Sequence, residues 1–309
     1  MADWYFRGNN NSQSGLVSCP GCRNLVKADQ EFCPYCAKRL GPEKGWRGWL
    51  KRFLSQDAVA TRTIVGTICV FFLLQFITDM TLPDEYRTQP YGGLFSFPNL
   101  SQFTYIRLGS NFHWIILTHG QVWRFVMSCF LHFGIVHILF NCWAFWDLGR
   151  LAEKLWNAKT VFAVFILTGA FAAFSSFFWN VMILGRPVNS AGASGAICGI
   201  LGLLLGTYYK NRYHIGEFLG SQLVRWAVYI VIFGLVAGAD NAAHIGGMIA
   251  GAALGYFLPP LSRSRNAERD GKIWTIAAIA AAVIFILSLL MAIIFYSRGW
   301  DYMIWELSK

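Results

Sequence analysis

Apolar residues in this chain gather into seven long runs, at about 58–78, 134–152, 159–180, 192–209, 222–239, 241–259 and 273–296. Each is close to the roughly 20 residues that a helix needs to cross the hydrocarbon core of a bilayer. Three stretches break the pattern. Residues 1–40 are polar. Residues 41–57 place Trp46, Trp49, Leu50, Phe53 and Leu54 at i, i+3, i+4, i+7 and i+8, with cations between them. That spacing suits a basic amphipathic helix in the headgroup region, and a plain basic linker fits it equally well. Residues 79–133 form a long connection between the first two runs, yet carry Phe95, Phe97, Phe103, Tyr105, Phe112, Trp114 and Trp123. So aromatic a segment is expected to lie half in the outer leaflet or to pack on the helices. The fold class that follows is an all-α polytopic membrane protein.

Composition strengthens this reading. Of the 309 residues, 55% are hydrophobic and 14% charged, against about 25% charged in soluble domains. The first ten residues lack a signal-peptide core, so nothing there reads as cleaved. The net charge of +10 would raise nucleic acid as a partner for a soluble chain, but its placement decides otherwise. With the amino terminus cytoplasmic, 19 Lys and Arg fall in the inner segments and six in the outer ones, with Arg62 inside the first run. That asymmetry predicts seven spans, amino terminus inside and carboxyl terminus outside. The membrane is expected to be a cell membrane, plasma or inner. The charge then serves orientation and contact with the lipid bilayer, and no nucleic acid is expected.

The polar segment carries Cys19-Pro-Gly-Cys22 and Cys33-Pro-Tyr-Cys36. Two Cys-x-x-Cys knuckles this close supply four thiolates, a set that suits tetrahedral zinc. Two disulfides would need an oxidising compartment, which the cytoplasmic assignment disfavours. So short a segment builds little core, and a structural Zn²⁺ would supply its folding energy. Such a zinc-ribbon-like segment is free to dock an unknown cytosolic partner, to bind nucleic acid or to serve structure alone.

Candidate chemistry comes from the depth at which polar residues enter the runs. In this topology the second, fourth and sixth runs all descend from the outer side. His137 and Asn141 lie early in the second, one turn apart on one face. Ser194 lies early in the fourth, within Gly192-Ala-Ser-Gly195, and His244 early in the sixth. Each is costly in lipid unless it faces a wet interior. By residue type, His244 is a base for the Ser194 hydroxyl near neutral pH. His137, Asn141 and the Ser194 backbone N–H are donors for an oxyanion. Each piece also has a plainer reading. Gly195, Gly199, Gly247, Gly251 and Gly255 describe close helix packing, His244 a proton relay or a satisfied interior residue, and His137 and Asn141 interhelical hydrogen bonds.

Taken in order, Trp123-Arg124, Leu131-His132 through His137 to Asn141, Gly192-Ala-Ser194-Gly195 and Ala243-His244-Ile-Gly-Gly247 resemble the rhomboid intramembrane serine proteases over roughly residues 58–260. The resemblance implies a six-helix rhomboid-like core, here with a seventh transmembrane helix at the carboxyl end, and a Ser–His dyad that needs no cofactor. It implies Ser194 as nucleophile, His244 as base, and His137 and Asn141 as oxyanion donors. His132, Trp123, Arg124, Gly192, Gly195 and Glu153 take supporting positions. It further implies transmembrane protein substrates, cleaved near their outer ends where the helix unwinds, and a side gate at the fifth span around Trp226–Gly238. One departure stands out: four residues after the nucleophile the family often has an aromatic packed on the base, and here that residue is Cys198. Asp240, one turn before His244, is expected to cap the helix, as Asn241 could, rather than to complete a triad. The domains expected are 1–40 (ribbon), 41–57 (juxtamembrane linker), 58–260 (catalytic core) and 261–309 (loop, seventh helix, outer tail). The alternative from another class is a catalytically inactive relative that binds or escorts membrane-protein clients. A transporter reading lacks paired intramembrane carboxylates.

Overall fold

The chain divides into two compact units, Met1–Gln56 and Asp57–Lys309. The computed structural model describes residues 16–19, 22, 24–27, 30 and 33–36 of the first, and 57–87, 97, 99–215, 217–237, 240–258, 260 and 267–298 of the second. The amphipathic pattern at 46–54 and Phe95 lie outside the described residues. In the first unit, β1 (Leu16–Ser18) pairs antiparallel with β2 (Leu25–Lys27), Val17 opposite Val26. The Cys19 N–H donates to Asn24 O (2.9 Å), folding the first knuckle between the strands. Val26, Cys19 and Cys33 form a small buried cluster.

The second unit is helical. Its elements are α1 (Val59–Met80), α2 (Asp84–Arg87), α3 (Gln102–Leu108), β3 (Asn111–Phe112), α4 (His113–His119), α5 (Arg124–Met127), α6 (Ile135–Leu155), α7 (Ala158–Phe177), β4 (Asn189–Ser190), α8 (Ser194–Ile215), α9 (Glu217–Ala237), α10 (Asn241–Phe257) and α11 (Ala267–Arg298). Helix α7 runs on through a wider π turn at Phe178–Ile183. The helix starts follow from local chemistry. Asn157 caps α7 by accepting from Thr160 N–H, and Ser101 caps α3 through Phe103 N–H. Helix α1 has no cap of its own. Glu153, in the last turn of α6, supplies one by accepting from the backbone N–H groups of Ala60 and Thr61, each at 2.9 Å, and from the Thr61 hydroxyl.

Long helices occupy all seven predicted runs, but length and composition alone qualify fewer of them as spans. Among the described residues, three helices are long and apolar enough to cross a membrane: Val59–Met80, Ala158–Ile183 and Glu268–Tyr296. A fourth crossing qualifies if Arg124–Phe130 and Ile135–Leu155, bent by 95°, are one broken span. The central helices fall short for physical reasons. Helix α8 is diluted by glycine and ends in polar residues, and α10 has 17 residues. Along α8, Ala196, Ile197, Cys198, Ile200, Leu201, Leu203 and Leu204 are buried. A helix wrapped by other helices is not required to be as long or as apolar as one facing lipid. The unit is an all-α polytopic membrane protein.

Helices α8 and α10 meet backbone to backbone. A Cβ on Gly251 would collide with the carbonyl of Gly199, one on Gly247 with that of Gly195, and one on Gly255 with that of Leu203. Only hydrogen fits there, which is why the glycine stripe recurs every four residues on α10. The connection at 79–133 is an ordered cap on the bundle over its described part. Tyr105, Ile106, Met127, Phe130 and Leu131 are buried. Trp123 stacks on Phe295 of α11 at 5.8 Å, and Phe130 packs on Phe285 at 5.0 Å. Four further apolar residues, Phe97, Trp114, Leu117 and Val122, stay exposed, so packing on the bundle and facing outward both occur.

Candidate active site

Ser194 is the first residue of α8, and His244 lies in the first turn of α10. The glycine contact between the two helices brings His244 Nε2 to 2.8 Å from Ser194 Oγ. That is hydrogen-bond distance for a hydroxyl and the base that would take its proton. Both side chains are half-buried. They line a pocket with His137, Asn141 and the apolar side chains of Ile197 and Ile230.

The backbone leading to Ser194 is held from the loop side. Ser190 pairs with Asn111 across β3 and β4. The Gly192 N–H donates to Ser128 O at 3.0 Å. The Ala193 N–H donates to His132 Nε2 at 3.4 Å, while the His132 backbone is clamped by the Gln75 amide at 3.0 and 2.8 Å. Gly192 has φ 141°, a conformation that side-chain-bearing residues avoid, and a Cβ there would lie 2.8 Å from His137 Cε1. Its glycine is thus required both by backbone and by the approach of His137. Gly195 closes against Ala172, whose methyl would stand 2.7 Å from an added Cβ.

Asn141 is 2% exposed, and its Nδ2 has no hydrogen-bond partner among the described residues. A buried amide donor without a partner is expensive. This one borders the pocket that holds Ser194. With the Ser194 N–H, which has no earlier helical turn to bond to, it offers donors where negative charge would develop. His137 stands beside them, its ring edge-on to His132 at 5.0 Å.

Other predicted residues serve the frame rather than the pocket. Arg124 is buried and donates from Nη1 to Ile106 O (2.7 Å) and Ser110 O (3.2 Å), and from Nε to Gln121 Oε1 (2.8 Å). Trp123 lies under its guanidinium at 4.8 Å. The pair knots the loop together. Cys198 is fully buried, and none of the described rings stacks on His244. Asp240 caps α10, its Oδ1 accepting from Ala243 N–H at 3.2 Å, and neither of its oxygens reaches the His244 ring. No triad forms.

Several participants escaped the sequence reading: Gln75, Asn111, Ser128, His113, Ser176 and Asp147. No motif marks them, since each works through a partner distant in sequence. Asp147 was the most detectable, as a lone acid in an apolar run. It accepts from Trp226 Nε1 at 2.6 Å and Gln222 Nε2 at 3.3 Å, linking α6 to α9.

In the first unit, Cys19, Cys22, Cys33 and Cys36 converge, with all four Sγ atoms within 4.8 Å of one another. Cys19 and Cys36 stand 3.6 Å apart, as do Cys22 and Cys33. No disulfide joins them. A tetrahedral metal–thiolate site with bonds of about 2.3 Å has sulfur–sulfur edges of about 3.8 Å, so the four thiols fit a single metal ion.

Residues 119–261 match the family model of the Rhomboid domain. Over 145 residues, 45% of its length, the chain is 34% identical to rhomboid protease GluP of Bacillus subtilis and covers 27% of that protein. It is 31% identical over 177 residues to rhomboid protease AarA of Providencia stuartii, covering 50% of this chain and 63% of the relative. RHOMBOID-like protein 2 of Arabidopsis thaliana is 25% identical over 298 residues, 86% of this chain and 87% of the relative. The two proteases are therefore matched over only part of their own lengths.

Proposed function

Because residues 119–261 match the Rhomboid domain and the chain is similar to two rhomboid proteases, we propose that it is a member of the rhomboid family and an intramembrane serine endopeptidase acting on transmembrane segments of other proteins. The observation that carries the proposal is the 2.8 Å contact between Ser194 Oγ and His244 Nε2. His244 takes the hydroxyl proton as Oγ attacks a peptide carbonyl. The Asn141 amide, the Ser194 N–H and His137 receive the oxyanion. Collapse of the tetrahedral adduct breaks the C–N bond, and the leaving amine takes the proton from His244. Water, deprotonated by the same histidine, then releases the acyl group from Ser194.

The lysine and arginine distribution supports an inside amino terminus, which puts this chemistry near the outer face. A substrate helix would enter between α6 and α9 and unwind locally to present its carbonyl to Ser194. Ser194→Ala should abolish cleavage of a model transmembrane substrate while leaving insertion intact, and Asn141→Ala should lower kcat by about 10²–10³-fold. Labelling of the parent by a fluorophosphonate, lost in both Ser194→Ala and His244→Ala, would establish an activated serine. A parent that binds clients but neither labels nor cleaves would replace this reading with an escort function.

The thiol cluster is proposed to hold a structural Zn²⁺ that stabilises residues 1–40 and leaves them free to dock a cytosolic partner. About one zinc per chain, lost in Cys33→Ser, is the expected result of metal analysis. A metal-free protein would refute it.

A further inference from the structure

Three polar side chains meet beside the start of α10 and take no part in the chemistry above. His113 opens α4 in the outer connection and is fully buried. Its Nδ1 accepts from the Val188 N–H at 3.4 Å, which places its own proton on Nε2. That nitrogen lies 3.2 Å from Ser176 Oγ, near the end of α7. The Ser176 hydroxyl in turn donates to Asp240 Oδ2. The other oxygen of Asp240 caps α10 through Ala243. Donor and acceptor roles therefore run in one direction, from the loop backbone to the helix cap. Backbone bonds run alongside: His113 N–H to Val188 O at 3.0 Å, and His244 N–H to Asp240 O at 3.1 Å.

Capping alone does not require this arrangement, since a capping carboxylate does its work with one oxygen and can leave the other to water. Here the second oxygen is bound by a serine from another helix, itself held by a histidine with no exposed surface. His244 sits one turn beyond Asp240, so any tilt or fraying of that turn moves Nε2 relative to Ser194. No described ring steadies His244, and Cys198 stands where an aromatic residue was expected. We propose that His113, Ser176 and Asp240 form a positioning relay that locks the first turn of α10, and with it the His244 ring, to the outer connection. The relay supplies the constraint that a packed ring would otherwise give. None of the three touches the reacting atoms.

The inference rests on His244 being the base, and its test separates the two. In full-length protein, Ser176→Ala removes the middle of the relay and leaves the cap. It should raise amide hydrogen exchange over residues 241–247 about tenfold relative to the parent. This arm needs no activity, and unchanged exchange would overturn the relay whether or not the chain cleaves. With a cleavable substrate, Ser176→Ala should lower kcat about tenfold at nearly constant KM, and slow fluorophosphonate labelling of Ser194 by the same factor. His113→Phe should show the same loss, the double variant no further loss, and His113→Gln, which retains an amide donor, should recover most of the rate. Losses that multiply, or that fall in KM, would overturn the relay. If Ser176→Ala fails to fold, equal exchange in His113→Phe and His113→Gln would also overturn it.

Discussion

Two helix pairs around Ser194 are built in opposite ways. Helices α8 and α10 touch through glycine backbones: Gly199 carbonyl under Gly251, Gly195 carbonyl under Gly247. Helices α6 and α9 touch through long side chains. Trp143 meets Trp226 at 4.7 Å and stacks on Tyr229 at 6.2 Å, Phe140 meets Trp226 at 6.4 Å, and Asp147 accepts from Trp226 and Gln222. Backbone contact has no rotamers, so the first pair cannot slide or part without losing its fit. Rings and an indole hydrogen bond can be exchanged for other contacts by rotating side chains. The rigid pair carries the 2.8 Å serine–histidine contact, and the adaptable pair borders the same pocket through Ile230 and Phe140. Backbone contact and exchangeable side-chain contact thus lie on different sides of one cavity.

The most severe way to break that contrast is to add volume to the rigid side. Gly251→Val would drive side-chain carbons into the Gly199 carbonyl, destabilise the pair by about 3 kcal/mol or more, and abolish cleavage and serine labelling together. Thermal unfolding and labelling of the purified protein test this, and normal labelling would mean that the backbone contact is not needed.

A second effect concerns how the rigid side is anchored. Burial pushes the His113 imidazole down to about 4, against the opposing pull of Asp240, the charged group that faces it. The unfolded chain binds this proton near 6.5. Between those values the unfolded state holds more protons, so stability is full above about pH 6.5, falls as pH drops, and levels off below about 4. The loss attributable to this one group is up to about 3 kcal/mol. Melting temperature followed from pH 7 to 4 should drop less in His113→Phe than in the parent, and parallel curves would remove the effect.

The smallest effect belongs to the adaptable side. Asp147→Leu removes the acceptor shared by Trp226 and Gln222, at a cost of about 1 kcal/mol for hydrogen bonds between membrane helices. The folded protein should persist with a melting point lower by a few degrees, and cleavage of a transmembrane substrate should rise two- to fivefold, roughly what such a free energy permits. A fall in cleavage would place Asp147 on the rigid side instead.

Most of the helical framework was legible because membrane burial writes itself into sequence as apolar runs. The glycine stripe on α10 was legible as packing for the same reason that it packs: only a missing side chain admits a neighbouring backbone. Ser194, His244, His137 and Asn141 stood out as polar residues in apolar surroundings. Glu153 was marked by resemblance alone, and its task, capping α1 from the end of α6, appears only when the two ends are side by side. Asp240 was correctly expected to cap, but its second bond, to Ser176, had no sequence signal, since the partner lies 64 residues away.

The sequence by itself determined that this chain is helical and membrane-embedded, where its helices run, and which polar residues are too costly in lipid to be idle. Those outcomes depend on local composition and on the polarity of single side chains. The tertiary structure decided what those residues face: that Ser194 and His244 meet at 2.8 Å, that Asn141 holds an unpartnered donor beside them among the described residues, and that His113, Ser176 and Asp240 link the connection at 79–133 to the start of α10. Such contacts depend on angles and distances between helices far apart in sequence, and hydrogen bonds exist only within a few tenths of an ångström of their proper lengths.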